Sequence, residues 1–424
     1  MRIVFVASVS PSFEHARAAY IVLASLLDSM ADAGHEVAYI TIGSTNQTDV
    51  RTGKVLSEKG IRLLGEFSAG EYKTSDGIRF HERVKRLILQ VFSGSPGYWI
   101  GPKLHKQLEI QRSLESFCPD AVILFWDSLF EAMLPYCGNS RVFGYLARPR
   151  FGAGVAVAEN RQKSAGSIFG KLRAKLDRKV WEKEKTRHFA RISSLDGVAN
   201  ICALDASMYN EEGINCTYIP NTWPDSFGRK WNEKRSDREA TREKVSVLAN
   251  VGNVNATGNS FGIAYLANEL LPVISPELHE KMEINICGGG TLPDGVKLKL
   301  KRYRVNVKGF VTDIDEEFLS SRIFLLLNNA GPYTGGYTRV AYAFSSGCCL
   351  IAHKNLSVSM PEVAHGTTAL LGESPQEIAE CLEKAVNDLA LVRRISSQAR
   401  ICYEDRFSPD KVAREIECML KHNT

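Results

Sequence analysis

The stretch Gly331, Pro332, Tyr333, Thr334, Gly335, Gly336, Tyr337, Thr338 and Arg339 sets glycines, a hydroxyl and a guanidinium ahead of a helix-like run from about Thr338 to Ser346. A helix start offers unpaired N–H groups and partial positive charge, and glycines let a ligand approach the backbone. Such a turn suits an anion, and Arg339 in the first helical turn would pair with it through charge-assisted hydrogen bonds. A glycine turn beside a solvated arginine is the competing reading. Gly288, Gly289 and Gly290 follow an apolar run, as a close turn near such a site or as a purely structural one. His353 closes another run, as a ligand contact or as a strand-end imidazole with a local hydrogen bond. Near the amino terminus, Val9 to Arg17 holds Glu14, His15 and Arg17, and Asp127 closes the run PDAVILFWD. A carboxylate or imidazole there could take a proton from a hydroxyl when its pKa lies near neutrality; His15 reads equally as an ordinary loop histidine.

Strand-like and helix-like runs alternate along the whole chain, the pattern of parallel α/β sheets with crossover helices. The expected strands are Ile3 to Ala7, Val37 to Ile42, Ile61 to Leu64, Ala121 to Phe125, Arg141 to Leu146, Gly197 to Ile201 and Thr217 to Ile219. A second series is Ser246 to Asn250, Met282 to Cys287, Val305 to Val307, Ile323 to Leu327, Cys349 to Ala352 and Ala369 to Leu371. Between the two, about 221 to 245 is polar, charged and without apolar period. The expected organisation is a first α/β domain at 1–222, a linker at 223–245, a second α/β domain at 246–402, and a terminal helical stretch at 403–424 crossing back to the first.

Composition is that of an ordinary globular protein: 424 residues, 44% hydrophobic and 24% charged, enough for two cores. The ten cysteines lack CxxC pairs and metal-ligand spacing, so they read as reduced, core-filling thiols. The N-terminus reads as a strand, not a signal peptide, and Ala18 to Leu27, the longest apolar stretch, is too short to span a bilayer. These features point to a cytoplasmic protein.

Seven segments, in order, resemble the GT-B class of nucleotide-sugar-dependent glycosyltransferases, closest to glycosyltransferase family 4 (group 1). They are AGHEVAYIT at 33–41, PDAVILFWD at 119–127, YIPNTWPD at 218–225, INICGGG at 284–290, VKGFV at 307–311, YTRVAYAFSSGCCLIAH at 337–353 and PEVAHGTTALL at 361–371. The resemblance implies two Rossmann-like domains facing a central cleft, the acceptor on the N-terminal one and the nucleotide-sugar donor mainly on the C-terminal one. It implies no cofactor and no divalent metal, with donor contacts from Gly252, Asn253, Gly288, Gly289, Thr334, Gly335, Gly336, Tyr337, Thr338, Arg339, His353 and Glu362. Arg339 would offset the charge of the leaving nucleotide. The loop with Glu14 and His15, or Asp127, would supply the base of an inverting reaction. For Glu362 the family match suggests ribose or sugar hydroxyls; a carboxylate at a helix start is the alternative. The sequence departs from the family pattern where two glutamates stand eight apart: Thr334 and Tyr342 occupy those positions. Asn253 and about Thr257 stand where the family keeps Arg and Lys, and Ala18-Ala19 replace Gly-Gly.

The chain carries 53 Lys and Arg against 48 Asp and Glu, yet residues 161–191 alone hold eleven basic and three acidic residues, a net +8. Leu172, Leu176 and Val180 recur there under a face that includes Lys175, Arg178 and Lys179. Between Arg79 and Arg112, Arg83, Lys85 and Arg86 mix with apolar residues and Trp99. With Arg17 and Arg148 these form an expected acceptor or membrane side: an anionic bilayer would attract such segments, while solvated helix faces are the plainer reading. No nucleic-acid-binding module is recognisable. The resulting expectation is transfer of a sugar to a hydroxyl of a glycan or lipid-linked acceptor in cell-surface polysaccharide or lipopolysaccharide-type synthesis, in the cytoplasm or peripheral on the inner face of the plasma membrane. The alternatives are a sugar-nucleotide epimerase on the same fold and a non-catalytic GT-B subunit binding a glycan or partner.

Overall fold

The computed structural model describes residues 1–14, 18–43, 48–67, 104–126, 137–149, 166–228, 231–233, 243–330 and 335–422, with a few positions between 151 and 162. The chain forms two compact units, one built on Met1–His15, Ala19–Ile219 and Ala413–Thr424, the other on Pro220–Val412 with Ala16–Ala18.

In the first unit, short β-branched and aromatic runs make seven parallel strands: β1 (Arg2–Ala7), β2 (Glu36–Ile42), β3 (Arg62–Phe67), β4 (Ala121–Trp126), β5 (Arg141–Leu146), β6 (Gly197–Asn200) and β7 (Cys216–Tyr218), in the order β3-β2-β1-β4-β5-β6-β7. β1, β2, β4 and β5 are buried almost end to end, as strands covered on both faces by crossover helices must be. The helix Ala18–Asp32 covers one face with Tyr20, Leu23, Leu26, Leu27 and Met30. It stops at Gly34, whose φ of +85° is the left-handed position that glycine occupies without a Cβ penalty.

The second unit repeats the plan with β8 (Val245–Val251), β9 (Met282–Cys287), β10 (Asn306–Gly309), β11 (Ile323–Leu326), β12 (Cys349–His353) and β13 (Ala369–Gly372), in the order β10-β9-β8-β11-β12-β13. Every strand expected from the sequence meets one of these thirteen. Seven of the ten cysteines are buried.

The segment read as the start of a linker is packed into the second unit. Trp223 stacks on Tyr342 with ring centroids 4.9 Å apart, and Phe227 is buried in the same cluster. Asp225 pairs with Arg400 at 2.5 Å, Thr222 donates from Oγ1 to the Phe407 carbonyl at 2.6 Å, and Tyr403 donates to the Trp223 carbonyl at 2.8 Å. The polar letters of NTWPDSFG hid two aromatic anchors and one ion-pair partner.

The basic helix also differs from its reading. It runs Ile168–Ile192, and its buried side is Ala174, Val180, Glu184, His188, Phe189 and Ile192. Leu172 is 54% exposed and Ile168 84% exposed, so the row Leu172, Leu176, Val180 is not the packed face.

Candidate functional site

In the second unit the carboxyl ends of β8, β9 and β10 meet in a glycine corner. A Cβ on Gly288 would lie 1.8 Å from the Gly252 carbonyl oxygen, so only glycine permits the two chains to touch there. Gly288 N donates to the Gly309 carbonyl at 2.7 Å, and Val254 N donates to the Gly289 carbonyl at 3.0 Å. Asn250 binds the corner from beneath, its Nδ2 donating to the carbonyls of Gly252 and Cys287, each at 3.1 Å. Asn253 accepts at its carbonyl from Asn259 Nδ2 at 2.7 Å, and its side-chain oxygen accepts from Asn255 N at 2.8 Å.

Arg339 enters this corner from the first turn of the helix Thr338–Ser346. Its Nη1 donates to the Val251 carbonyl at 3.2 Å and to Asn259 Oδ1 at 2.8 Å. With its oxygen turned to the guanidinium, the Asn328 amide accepts from Nη2 at 2.9 Å and Nη1 at 3.2 Å. All of these partners are neutral, and Arg339 forms no ion pair with a carboxylate among the described residues. Although the residue as a whole keeps some exposure, its guanidinium is enclosed, and burial pushes its pKa down to about 10, leaving it charged at neutral pH.

Among the described residues no side chain caps the helix Thr338–Ser346. Its N-terminal residues Gly335, Gly336, Tyr337 and Thr338 are all half-buried, and a Cβ on Gly335, where φ is +153°, would meet nothing within 4 Å. The Gly336 carbonyl is held by Asn221 Nδ2 at 3.3 Å, and Tyr337 N donates to Met360 Sδ at 3.3 Å. A helix start and a cation are each features that favour anions.

The remaining residues expected on the donor side are engaged locally. His353 is buried, its carbonyl accepting from Asn329 Nδ2 at 3.0 Å and its Nδ1 from Asn355 N at 3.2 Å. Glu362 pairs with Arg406 at 3.2 Å. Tyr342, where the family resemblance expects a glutamate, is a core residue: its ring centroid lies 4.2 Å from that of Phe318 and its hydroxyl donates to Asp315. Burial first, then Asp315, push its phenol far above the usual range.

In the first unit, Glu14 is exposed and bonded to Arg51 Nη1 at 2.9 Å, a surface pair of small worth. Sequence reasoning passed over Asp49, which fixes the loop after β1. It accepts from Ser12 Oγ at 2.5 Å, from Thr52 N at 2.8 Å and from Thr52 Oγ1 at 2.7 Å. Burial raises its pKa, but these hydrogen bonds outweigh it and hold the carboxyl below its ordinary value. The D-x-x-T spacing of a helix cap was the available signal. On the basic helix, Arg178 spends its charge on Glu182 and Glu159, whereas Lys175 and Lys179 are exposed and form no ion pair among the described residues. Glu159, Gln162, Lys171 and Arg178 line a cavity of about 550 Å³. Arg148 lies two residues past β5, its charge lowering the pKa of buried Asp205 against the larger raising effect of burial. His15, Arg17, Arg83, Lys85, Arg86, Trp99, Asp127 and Thr334 lie outside the described residues. Among the described residues no group of three or more His, Cys, Asp or Glu could hold a metal ion, and no helix is long and apolar enough to cross a membrane.

Residues 245–388 match the family Glycosyl transferases group 1. No curated protein sequence matches the chain. Among solved structures, Anabaena HepE in complex with UDP-glucose superposes with a TM-score of 0.62 at 13% identity, covering 100% of both chains. Sucrose-phosphate synthase from Thermosynechococcus elongatus gives 0.64 at 13%, covering 100% of this chain and 99% of its own. S. aureus TarM, in complex with Fondaparinux, alpha-GlcNAc-glycerol and UDP, gives 0.61 at 9%, covering 99% and 100%. At these identities the likeness establishes the fold, while the family match falls on the unit that holds the glycine corner and Arg339. The chain has the GT-B fold of two parallel α/β units, and residues 245–388 of its second unit are similar to the group 1 glycosyl transferases.

Proposed function

We propose that the second unit binds the diphosphate of a nucleotide-sugar donor at Arg339 and at the start of the helix Thr338–Ser346, and that the sugar passes to a hydroxyl of a glycan or lipid-linked acceptor held by the first unit. The observation that carries this reading is the enclosed Arg339 guanidinium, whose hydrogen-bond partners among the described residues are all neutral. A buried cation is costly unless an anion completes it, and Gly335 and Gly336 stand at the start of the helix that carries Arg339. As the donor bond breaks, negative charge grows on the leaving diphosphate, where a fixed guanidinium and helix dipole are worth most. Donors with UDP are favoured by the UDP and UDP-glucose named with HepE and TarM.

An acceptor in cell-surface polysaccharide or lipopolysaccharide-type synthesis, reached from an anionic membrane surface, fits the helix Ile168–Ile192. Exposed Ile168 and Leu172 stand among exposed Lys171, Arg173, Lys175 and Lys179, a mixture suited to a headgroup layer. No resident metal is needed, because Arg339 and the helix start provide the positive charge.

The test is a panel of UDP-, GDP-, ADP- and CMP-sugars offered to the pure protein, reading slow donor hydrolysis. Turnover of one nucleotide class, lost in Arg339→Ala, is expected; turnover of none, with no nucleotide bound, overturns the reading. Co-sedimentation with phosphatidylglycerol vesicles, weakening as salt rises, tests the membrane surface.

A further inference from the structure

The second sheet ends on β13 at one side and on β10 at the other. β13 is covered, three of its four residues being buried. β10 is open: Asn306, Val307 and Lys308 are exposed, and among the described residues no strand pairs with its outer side. An uncovered edge presents a row of backbone N–H and C=O groups, a template for another strand. Two apolar side chains stand on it, Val307 at 48% exposure and Phe310, next after the strand, at 70%. A lysine in an edge strand ordinarily guards it. Here Lys308 is engaged by the helix Ile314–Ser320, its Nζ donating to Glu317 Oε1 at 2.9 Å and Oε2 at 2.7 Å.

β10 is short and its register on β9 shifts between Val307 and Gly309, so backbone pairing alone would hold a partner weakly. Charge adds a second attraction, because it is sorted along the strand. Residues 297–304, which lead into the amino end of β10, hold five basic and no acidic residues. Residues 313–317, just past its carboxyl end, hold four acidic and no basic residues. Part of each group is answered at home: Lys297 by Asp294, Arg304 by Glu280 and Glu317 by Lys308. Lys301, Arg302 and Asp313 are exposed and form no ion pair among the described residues.

We propose that β10 is a self-association edge: two copies of this chain pair their β10 strands antiparallel about a two-fold axis, setting the basic segment of each copy against the acidic segment of the other. A surface with a cation-rich end and an anion-rich end is its own complement only when reversed, and a two-fold axis makes that match twice. Parallel pairing would set like charges together. Val307 and Phe310 lie between the charged ends, where apolar contact excludes water. The whole edge belongs to the second unit, and pairing there requires no nucleotide.

Analytical ultracentrifugation of the full chain tests the pairing. Wild type should sediment as a reversible dimer that dissociates as salt rises. Three variants should each weaken the dimer by about tenfold or more: Val307→Lys, Lys301→Glu with Arg302→Glu, and Asp313→Lys with Glu316→Lys. The last two carry like charge at both ends and repel themselves, yet mixed together they should form a dimer of one copy of each. Asp313 caps its helix by accepting from Glu316 N at 3.0 Å, so melting temperature is checked in that variant; Val307→Lys, at an exposed side chain, decides the matter if it unfolds. A wild type that stays monomeric at low salt and high protein concentration, a dimer indifferent to the substitutions, or folded charge variants that stay apart when mixed would overturn the proposal.

Discussion

Arg339 donates to Asn259 Oδ1 at 2.8 Å, so that among the described residues an enclosed cation is answered by an amide and not by a carboxylate. A carboxylate would settle the charge within the protein and compete with any incoming phosphate. Asparagines hold the guanidinium in place through neutral acceptors and leave its charge for a ligand. In this way β8, the helix Thr257–Tyr265 and the helix Thr338–Ser346 are tied together around one charge.

Gly288→Ala tests the glycine corner. The new Cβ meets the Gly252 carbonyl at 1.8 Å and the backbone holds φ at +148°, so one of the two chains must move. Urea denaturation should show a loss of about 2 kcal/mol or more, with weaker nucleotide binding. Gly289→Ala, with nothing within 4 Å of its Cβ, should be far milder.

Asp225→Ala should destabilise the second unit. Arg400 is 5% exposed and would keep only Glu404 and the Ser345 carbonyl. Leaving a buried charge short of its partner costs about 3 kcal/mol. Burial raises the Asp225 pKa, yet hydrogen bonds from Arg400 and from the Gly228 and Phe227 amides bring it below its ordinary value. Its contribution is therefore full above the unfolded carboxylate pKa of about 4 and falls away as pH drops through the lower folded value. Thermal unfolding between pH 7 and 3 should be less acid-sensitive in Asp225→Ala than in wild type.

His188 makes stability depend on pH in a higher window. It is buried, its Nε2 lies 2.6 Å from the Tyr209 hydroxyl, and burial first, then Arg191, push its pKa to about 4. The folded protein keeps it neutral, so its contribution is full above the unfolded pKa of about 6.5 and is lost as pH falls toward 4. The loss amounts to about 3 kcal/mol. Urea midpoints of wild type and His188→Gln at pH 7.5 and 5 should diverge, the wild type losing more stability on acidification.

Tyr342→Glu restores the residue type that the family pattern carries at this position. It should not raise turnover. The carboxylate would be buried beside Asp315 and among Trp223, Phe227 and Phe318, and unfolding should reveal a loss of about 3 kcal/mol. A stable Tyr342→Glu protein with higher activity would show that this helix can present the position to a ligand.

The strands were legible because parallel strands covered on both faces read as unbroken apolar runs: VILFW became β4 and CLIAH became β12. The glycine corner was legible in part, since GGG after a strand announces a turn, but that Gly288 touches Gly252 depends on two strands distant in sequence. The place of Arg339 in the first turn of a helix was legible. Its neutral partners were not, because Asn259 and Asn328 belong to other elements and asparagine signals turns as readily as buried amides. The packing of the first residues of the expected linker was hidden because polar composition outvoted Trp223 and Phe227, whose ring partner Tyr342 lies more than a hundred residues away. The Leu172 row failed because four-residue spacing alone does not say which side of a helix meets the core.

The most direct measurement is calorimetric titration of UDP, GDP and the corresponding nucleosides into wild-type and Arg339→Ala protein of matched melting temperature. Wild type should bind one diphosphate far more tightly than its nucleoside, and Arg339→Ala should weaken the diphosphate by about a hundredfold, some 3 kcal/mol, leaving the nucleoside unchanged. Equal diphosphate affinity in the two proteins, or no nucleotide binding to wild type, would contradict the assignment of the enclosed guanidinium as the donor's phosphate site.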